Sequence, residues 1–116
     1  MLRELPEDEV EFSVECLPED MSVRGNAIAS GDDDHDRMVE DKIIEELEWN
    51  EWAWCTVRVV ARWEGFEGND YLGGCSYKSE EDFCTPDGYY PDMKARALEA
   101  LNEEVARSHA ITSKLT

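Results

Sequence analysis

The chain has 116 residues, four Trp, four Tyr, three Phe and 41% hydrophobic residues, which supports one domain with a modest core and argues against wholesale disorder. Its formal net charge is −18, with 17 acids against 4 bases in residues 1–50 and 12 against 7 in residues 51–116. That balance argues against direct binding to nucleic acid or to an anionic membrane, because both are densely negative. No apolar run approaches the roughly 20 residues needed to cross a bilayer. Residues 1–8 lack the hydrophobic core of a secretory signal, so a cytoplasmic protein is expected.

Residues 9–17 alternate and predict a half-buried strand, with Val10, Phe12, Val14 and Cys16 on one face and Glu9, Glu11, Ser13 and Glu15 on the other. Pro18-Glu19-Asp20 ends it, and residues 23–31 read as a second short strand or an ordered loop. The run Asp32-Asp33-Asp34-His35-Asp36 leads into a helix predicted over 35–49, its acids complementing the positive end of the helix dipole. Val39, Ile43, Ile44 and Leu47 form its expected buried stripe. Asp41, Glu45 and Glu48, at i, i+4 and i+7, form an outward acidic ridge that only Lys42 offsets.

Residues 52–63 read as the central strand, with Ala53, Cys55, Val57, Val59, Ala61 and Trp63 facing the core and Trp52, Trp54, Thr56, Arg58, Val60 and Arg62 facing away. Gly65–Asn69 predicts a hairpin loop, followed by a third strand over 71–77 in which Gly73-Gly74 marks a bulge or a close backbone approach. Thr85-Pro86-Asp87-Gly88 is a turn, and Pro91 opens a closing helix predicted over 91–108. Met93, Ala97, Leu98, Leu101 and Val105 are its expected core stripe. Arg96, Glu99, Glu103 and Arg107 on its outer face are expected to pair among themselves. This order predicts a single α+β domain over 1–116: an antiparallel sheet of three or four strands with two helices packed on one face.

Two surfaces are candidate sites. The first is acidic: Asp32, Asp33, Asp34, Asp36, Asp41, Glu45 and Glu48, extended by Glu7, Asp8, Glu9 and Glu11. Such a surface can imitate a phosphate backbone and dock on a basic nucleic-acid-binding host protein. Duplex DNA carries a charge per roughly 1.7 Å of axis, whereas one helix ridge spaces its charges by about 4.5–6 Å, so other segments must contribute. A solvated skin serving solubility, or a halophile's composition with four Lys and seven Arg, would give the same excess. The second surface is the strand face bearing Trp52 and Trp54, residues favoured at interfaces, through which a homodimer is expected. On that face Arg58 and Arg62 are expected to pair with Glu9, Glu11 or Glu15.

No metal, cofactor or catalytic centre is expected, and the reading is of a protein that is not an enzyme. The Asp cluster lacks the EF-hand Gly and Glu, with Arg37 and Ile43 at those places. Cys16, Cys55, Cys75 and Cys84 form no close pair and read as reduced, packed thiols. His35 and His109 are far apart, and no nucleophile elbow or phosphate-binding loop occurs.

The segments Val23-Arg24-Gly25-Asn26-Ala27, Ser30-Gly31-Asp32-Asp33, Trp52-Ala53-Trp54-Cys55-Thr56-Val57 and Gly65–Tyr77 are similar to small uncharacterised proteins of bacteriophages and mobile elements, over most of residues 23–98. By size and acidity the chain further resembles the anti-CRISPR and anti-restriction inhibitors, several of which act as DNA mimics. That resemblance implies a counter-defence inhibitor of a host nuclease or CRISPR complex, and it carries no functional residues over. The alternative is a small accessory or structural phage protein that oligomerises through its Trp-bearing sheet face.

Overall fold

The computed structural model describes residues 4–115, with side chains through His109. Strands β1 (Glu11–Leu17), β2 (Cys55–Trp63) and β3 (Phe66–Cys75) form an antiparallel sheet in the order β1-β2-β3. Helix α1 (Asp33–Leu47) lies between β1 and β2 in the chain, and a short α2 (Glu80–Phe83) and a long α3 (Tyr90–Leu115) follow β3. Single 3-10 turns occupy Glu7–Glu9 and Glu51–Ala53. The class is α+β, as the order of predicted elements implied, with three strands.

The core lies between the sheet and α3. Cys55, Val57, Val59 and Ala61, on one face of β2, are at most 1% exposed. Against them α3 turns the stripe that its 3.6-residue period marks, with Met93, Ala97, Leu101 and Val105 buried and Leu98 half-buried. Val10, Phe12, Val14 and Cys16 pack at the margin of the same core, so β1 presents the face its alternation predicted. Phe83 of α2 is fully buried and gathers the rings of Trp52, Tyr77 and Tyr90 at centroid distances of 6.0, 5.1 and 6.1 Å.

Two glycine-containing segments locate the hairpin differently from the sequence reading. The turn is only Glu64-Gly65, both with positive φ (48° and 83°), the left-handed pair that matches the twist of a tight hairpin. Gly68 therefore lies within β3 rather than in a loop. A Cβ on Gly68 would stand 2.2 Å from both the Ala97 carbonyl oxygen and the Leu101 nitrogen, so the backbone of α3 rests directly on that of β3. The expected bulge is present: pairing passes from Cys55–Cys75 to Val57–Leu72, leaving Gly73-Gly74 opposite Thr56. Residues 23–27 form a turn in which Asn26 and Ala27 both donate to the Val23 carbonyl, not a strand.

Helix α1 departs furthest from expectation. It begins earlier than predicted because the Asp32 carboxylate caps it, accepting from the backbone N–H groups of Asp34 and His35 at 3.1 and 3.2 Å. Its apolar stripe does not enter the core: Val39 and Ile43 are half-buried, and Ile44 and Leu47 are each 38% exposed. Among the helices, strands and 3-10 turns, α1 contacts mainly the turn Glu51–Ala53, whereas α3 covers the sheet. Strands spaced about 4.8 Å apart make a three-stranded sheet little wider than one helix of about 10 Å diameter, so a single helix fills its face.

Gly68→Ala tests the backbone contact that sets this packing. The substitution is expected to lower unfolding free energy by about 3 kcal/mol, since the obstructing atoms are main chain and cannot swing aside. Chemical denaturation measures it, and a loss below about 1 kcal/mol would mean that α3 does not rest on β3.

Candidate functional site

The position of α1 is set by the loop that precedes it. Trp54 is 6% exposed and donates its indole N–H to the Met21 carbonyl at 2.7 Å. The Glu19 carboxylate accepts from the backbone N–H groups of Gly74 and Met21, which fixes the loop to the β3 bulge. Val23 is buried, and Gly25, with φ +80°, donates its N–H to Glu40 at 2.7 Å. Arg24 reaches both Glu40, at 3.4 Å, and Asp41. Glu40 is the one buried residue of α1. The helix is thus held by a buried carboxylate and its donors, alongside partial apolar cover in which Val39 and Ile43 are half-buried and Leu47 lines a pocket with Cys16, Leu17, Pro18 and Trp54.

This arrangement divides the predicted acidic surface into two sets. The carboxylates of Asp32, Asp36 and Asp41 have internal work: Asp32 caps the helix, Asp36 accepts from the Ser30 hydroxyl at 2.6 Å, and Asp41 pairs with Arg24. Asp33, Asp34, Glu45 and Glu48 are exposed, and among the described residues their carboxylates have no hydrogen-bond or ion-pair partner. Asp41, Glu45 and Glu48 do share one exposed ridge, as their spacing predicted.

Beside that ridge stand two side chains the sequence reading did not single out. Met38 is 72% exposed and Trp49 is 74% exposed. The steps 38, 42, 45 and 49 are four, three and four residues, which places Met38, Lys42 and Glu45 along one line of α1, with Trp49 following in the turn two residues past its end. The Trp49 and Asn50 N–H groups both bond to the Glu46 carbonyl, at 3.1 and 2.9 Å, which ties that turn to the end of α1. The spacing was present in the sequence, but neither residue belongs to the apolar stripe that defines the helix's inner side.

Trp52 and Trp54 do not form an open sheet face, which corrects the expected interface. Asn50 accepts the Trp52 N–H at 3.1 Å and caps a 3-10 turn over Glu51–Ala53, so regular alternation begins only at Cys55. Trp52 then packs on Phe83 and Trp54 is buried under the 18–21 loop. The open face belongs to Arg58 and Arg62. Arg58 bonds Glu15 at 2.6 Å and Asn69 at 2.8 Å, while Arg62 bonds Ser13 at 2.7 Å and Glu67 at 3.2 Å. The expected cross-strand pairing with Glu15 is present, and Glu67 of β3 is a partner the sequence did not indicate. On α3, Arg96 pairs with Asp70 and Arg107 with Glu104, in place of the expected Glu99 and Glu103.

All four cysteines are free thiols. Burial pushes Cys55 and Cys75 up from the ordinary thiol range, so both remain protonated and act as small apolar side chains. Among the described residues no group of three or more His, Cys, Asp or Glu side chains is placed to hold a metal ion, and no helix is long and apolar enough to cross a membrane. Comparison with protein-family models, with curated proteins and with solved structures finds no match to this chain.

The Glu19 bonds give a pH-dependent prediction. Donation from Gly74, and then from Met21, holds the Glu19 carboxyl below its usual pKa. A depressed folded-state pKa contributes stability that is present above the unfolded value of about 4.3 and lost as pH falls through the folded one. In urea unfolding, wild type is expected to exceed Glu19→Gln in stability at neutral pH, with the gap closing in acid. A gap that persists unchanged through the acid range would contradict this account.

Proposed function

We propose that this chain is a non-enzymatic counter-defence inhibitor that acts in the host cytoplasm by binding the basic, nucleic-acid-contacting surface of a nuclease or CRISPR complex. The observation that carries the reading is how the charge is distributed once internal pairs are counted. Arg24, Arg58, Arg62, Lys94, Arg96 and Arg107 are all engaged in ion pairs within the molecule. Unmatched carboxylates also stand elsewhere among the described residues, Glu80, Glu81, Glu99 and Glu103 included. Asp33, Asp34, Glu45 and Glu48, however, gather on α1 and its C-cap, where Arg37 and Lys42 are the cations beside them, on a helix docked apart from the core. A surface of this kind attracts a basic partner over a distance and steers its approach.

The magnitudes also limit the reading. Asp34, Glu45 and Glu48 span about 21 Å, with Asp41 between them paired to Arg24, an unmatched charge every ~10 Å. Duplex DNA presents one about every 1.7 Å. The helix is therefore an electrostatic lure rather than a replica of a duplex, and affinity needs a further source.

The test is inhibition of DNA cleavage across a panel of purified nucleases and CRISPR effector complexes. At least one is expected to be inhibited in competition with DNA, and inhibition should weaken as salt approaches about 0.15 M, where screening acts over about 8 Å. Glu45→Lys with Glu48→Lys leaves the Glu40 and Asp41 contacts in place and is expected to weaken inhibition roughly tenfold or more. Inhibition of none at low salt, or inhibition indifferent to the charge reversal, would contradict the proposal.

A further inference from the structure

The outer side of α1 holds a second feature beside its charge. Met38 and Trp49 are the two most exposed large apolar side chains among the described residues, Met38 on α1 and Trp49 in the turn that closes it. The separation is eleven residues, about 16 Å along the axis. The steps of four, three and four residues between Met38, Lys42, Glu45 and Trp49 are those of a seam at which one helix packs along another. The seam is apolar at its ends and charged in its middle. A solvated acidic skin has no use for a tryptophan held three-quarters in water, whereas Trp is enriched where binding energy concentrates.

We propose that this seam is a docking surface for an amphipathic basic helix of a partner protein, with Met38 and Trp49 as its two apolar anchors. The inference rests on the functional reading above and supplies the affinity that charge spacing alone does not. The occupant follows from complementarity. Residues 33–48 carry eight acids against two bases, so a second copy of this chain would bring like charge against like, and nucleic acid or an anionic membrane would be repelled in the same way. A basic helix with apolar residues about three turns apart meets both the acidic ridge Asp41/Glu45/Glu48 and the two anchors beside it.

The probes are two synthetic helical peptides of about 20 residues, both rich in Lys and Arg, one with Leu along a single face and one with Ser at the same places. Binding to the whole chain is measured by titration calorimetry at low salt. The Leu peptide is expected to bind roughly tenfold or more tightly than the Ser peptide, and Met38→Ala or Trp49→Ala should remove that advantage while leaving Ser-peptide binding unchanged. Both positions are exposed, and far-UV circular dichroism verifies that the variants fold. Equal binding of the two peptides, unaffected by either variant, would overturn the anchors and leave the charge-based function standing. Binding of neither peptide would overturn both. A dimer in sedimentation that Trp49→Ala dissociates would overturn the inference in favour of a second copy as occupant.

Discussion

The carboxylate of Glu40 is the contact on which the arrangement of the acidic helix depends. It is the one buried residue of α1, and it takes the Gly25 N–H and the Arg24 guanidinium from a loop that is itself tied to the sheet through Trp54, Met21 and Glu19. An apolar stripe pressed into a core would hold a helix by many small contacts and hide one face. A polar latch holds it by a few directional bonds and leaves most of the helix in water. The high exposure of Met38 accords with that mode of attachment, whereas Ile44 and Leu47 are more covered than exposed.

The rest of the fold explains why the helix is attached in this way. The sheet has three strands, and α3 rests so closely on β3 that only a glycine fits at position 68. With that face filled, α1 lies outside the main core, and the loop before it becomes its support. The bulge at Gly73-Gly74 contributes by turning a free N–H toward Glu19. The opposite face of the sheet is closed to the helix by the Arg58 and Arg62 network with Glu15, Glu67, Ser13 and Asn69, over a fully buried Val60.

What the sequence made legible is what periodicity can encode. The alternation of Cys55, Val57, Val59 and Ala61 and the helical spacing of Met93, Ala97, Leu101 and Val105 identify the two sides of the core, because burial of one face imposes those periods. The acidic ridge was legible for the same reason. Trp52 and Trp54 were misplaced because Asn50 caps a 3-10 turn that interrupts the alternation two residues before the strand begins. Gly68 looked like loop punctuation because a glycine that admits a helix backbone is written with the same letter as one that admits a turn. Glu40 gave no signal at all: its partners are a backbone N–H and an arginine 15 and 16 residues away, and among so many acids nothing marks it.

The central claim is that α1 is an element held by a latch, separable from the core, and so able to offer its outer face to a partner. Native-state hydrogen exchange on Glu40→Ala tests it most directly. Removing the carboxylate leaves the Gly25 N–H without its acceptor and Arg24 with Asp41 alone, a loss of about 1–3 kcal/mol. The account predicts that amides of α1 lose protection by that amount while amides of β2 and α3 keep theirs. Equal loss of protection across α1, β2 and α3, or no loss in α1, would contradict it.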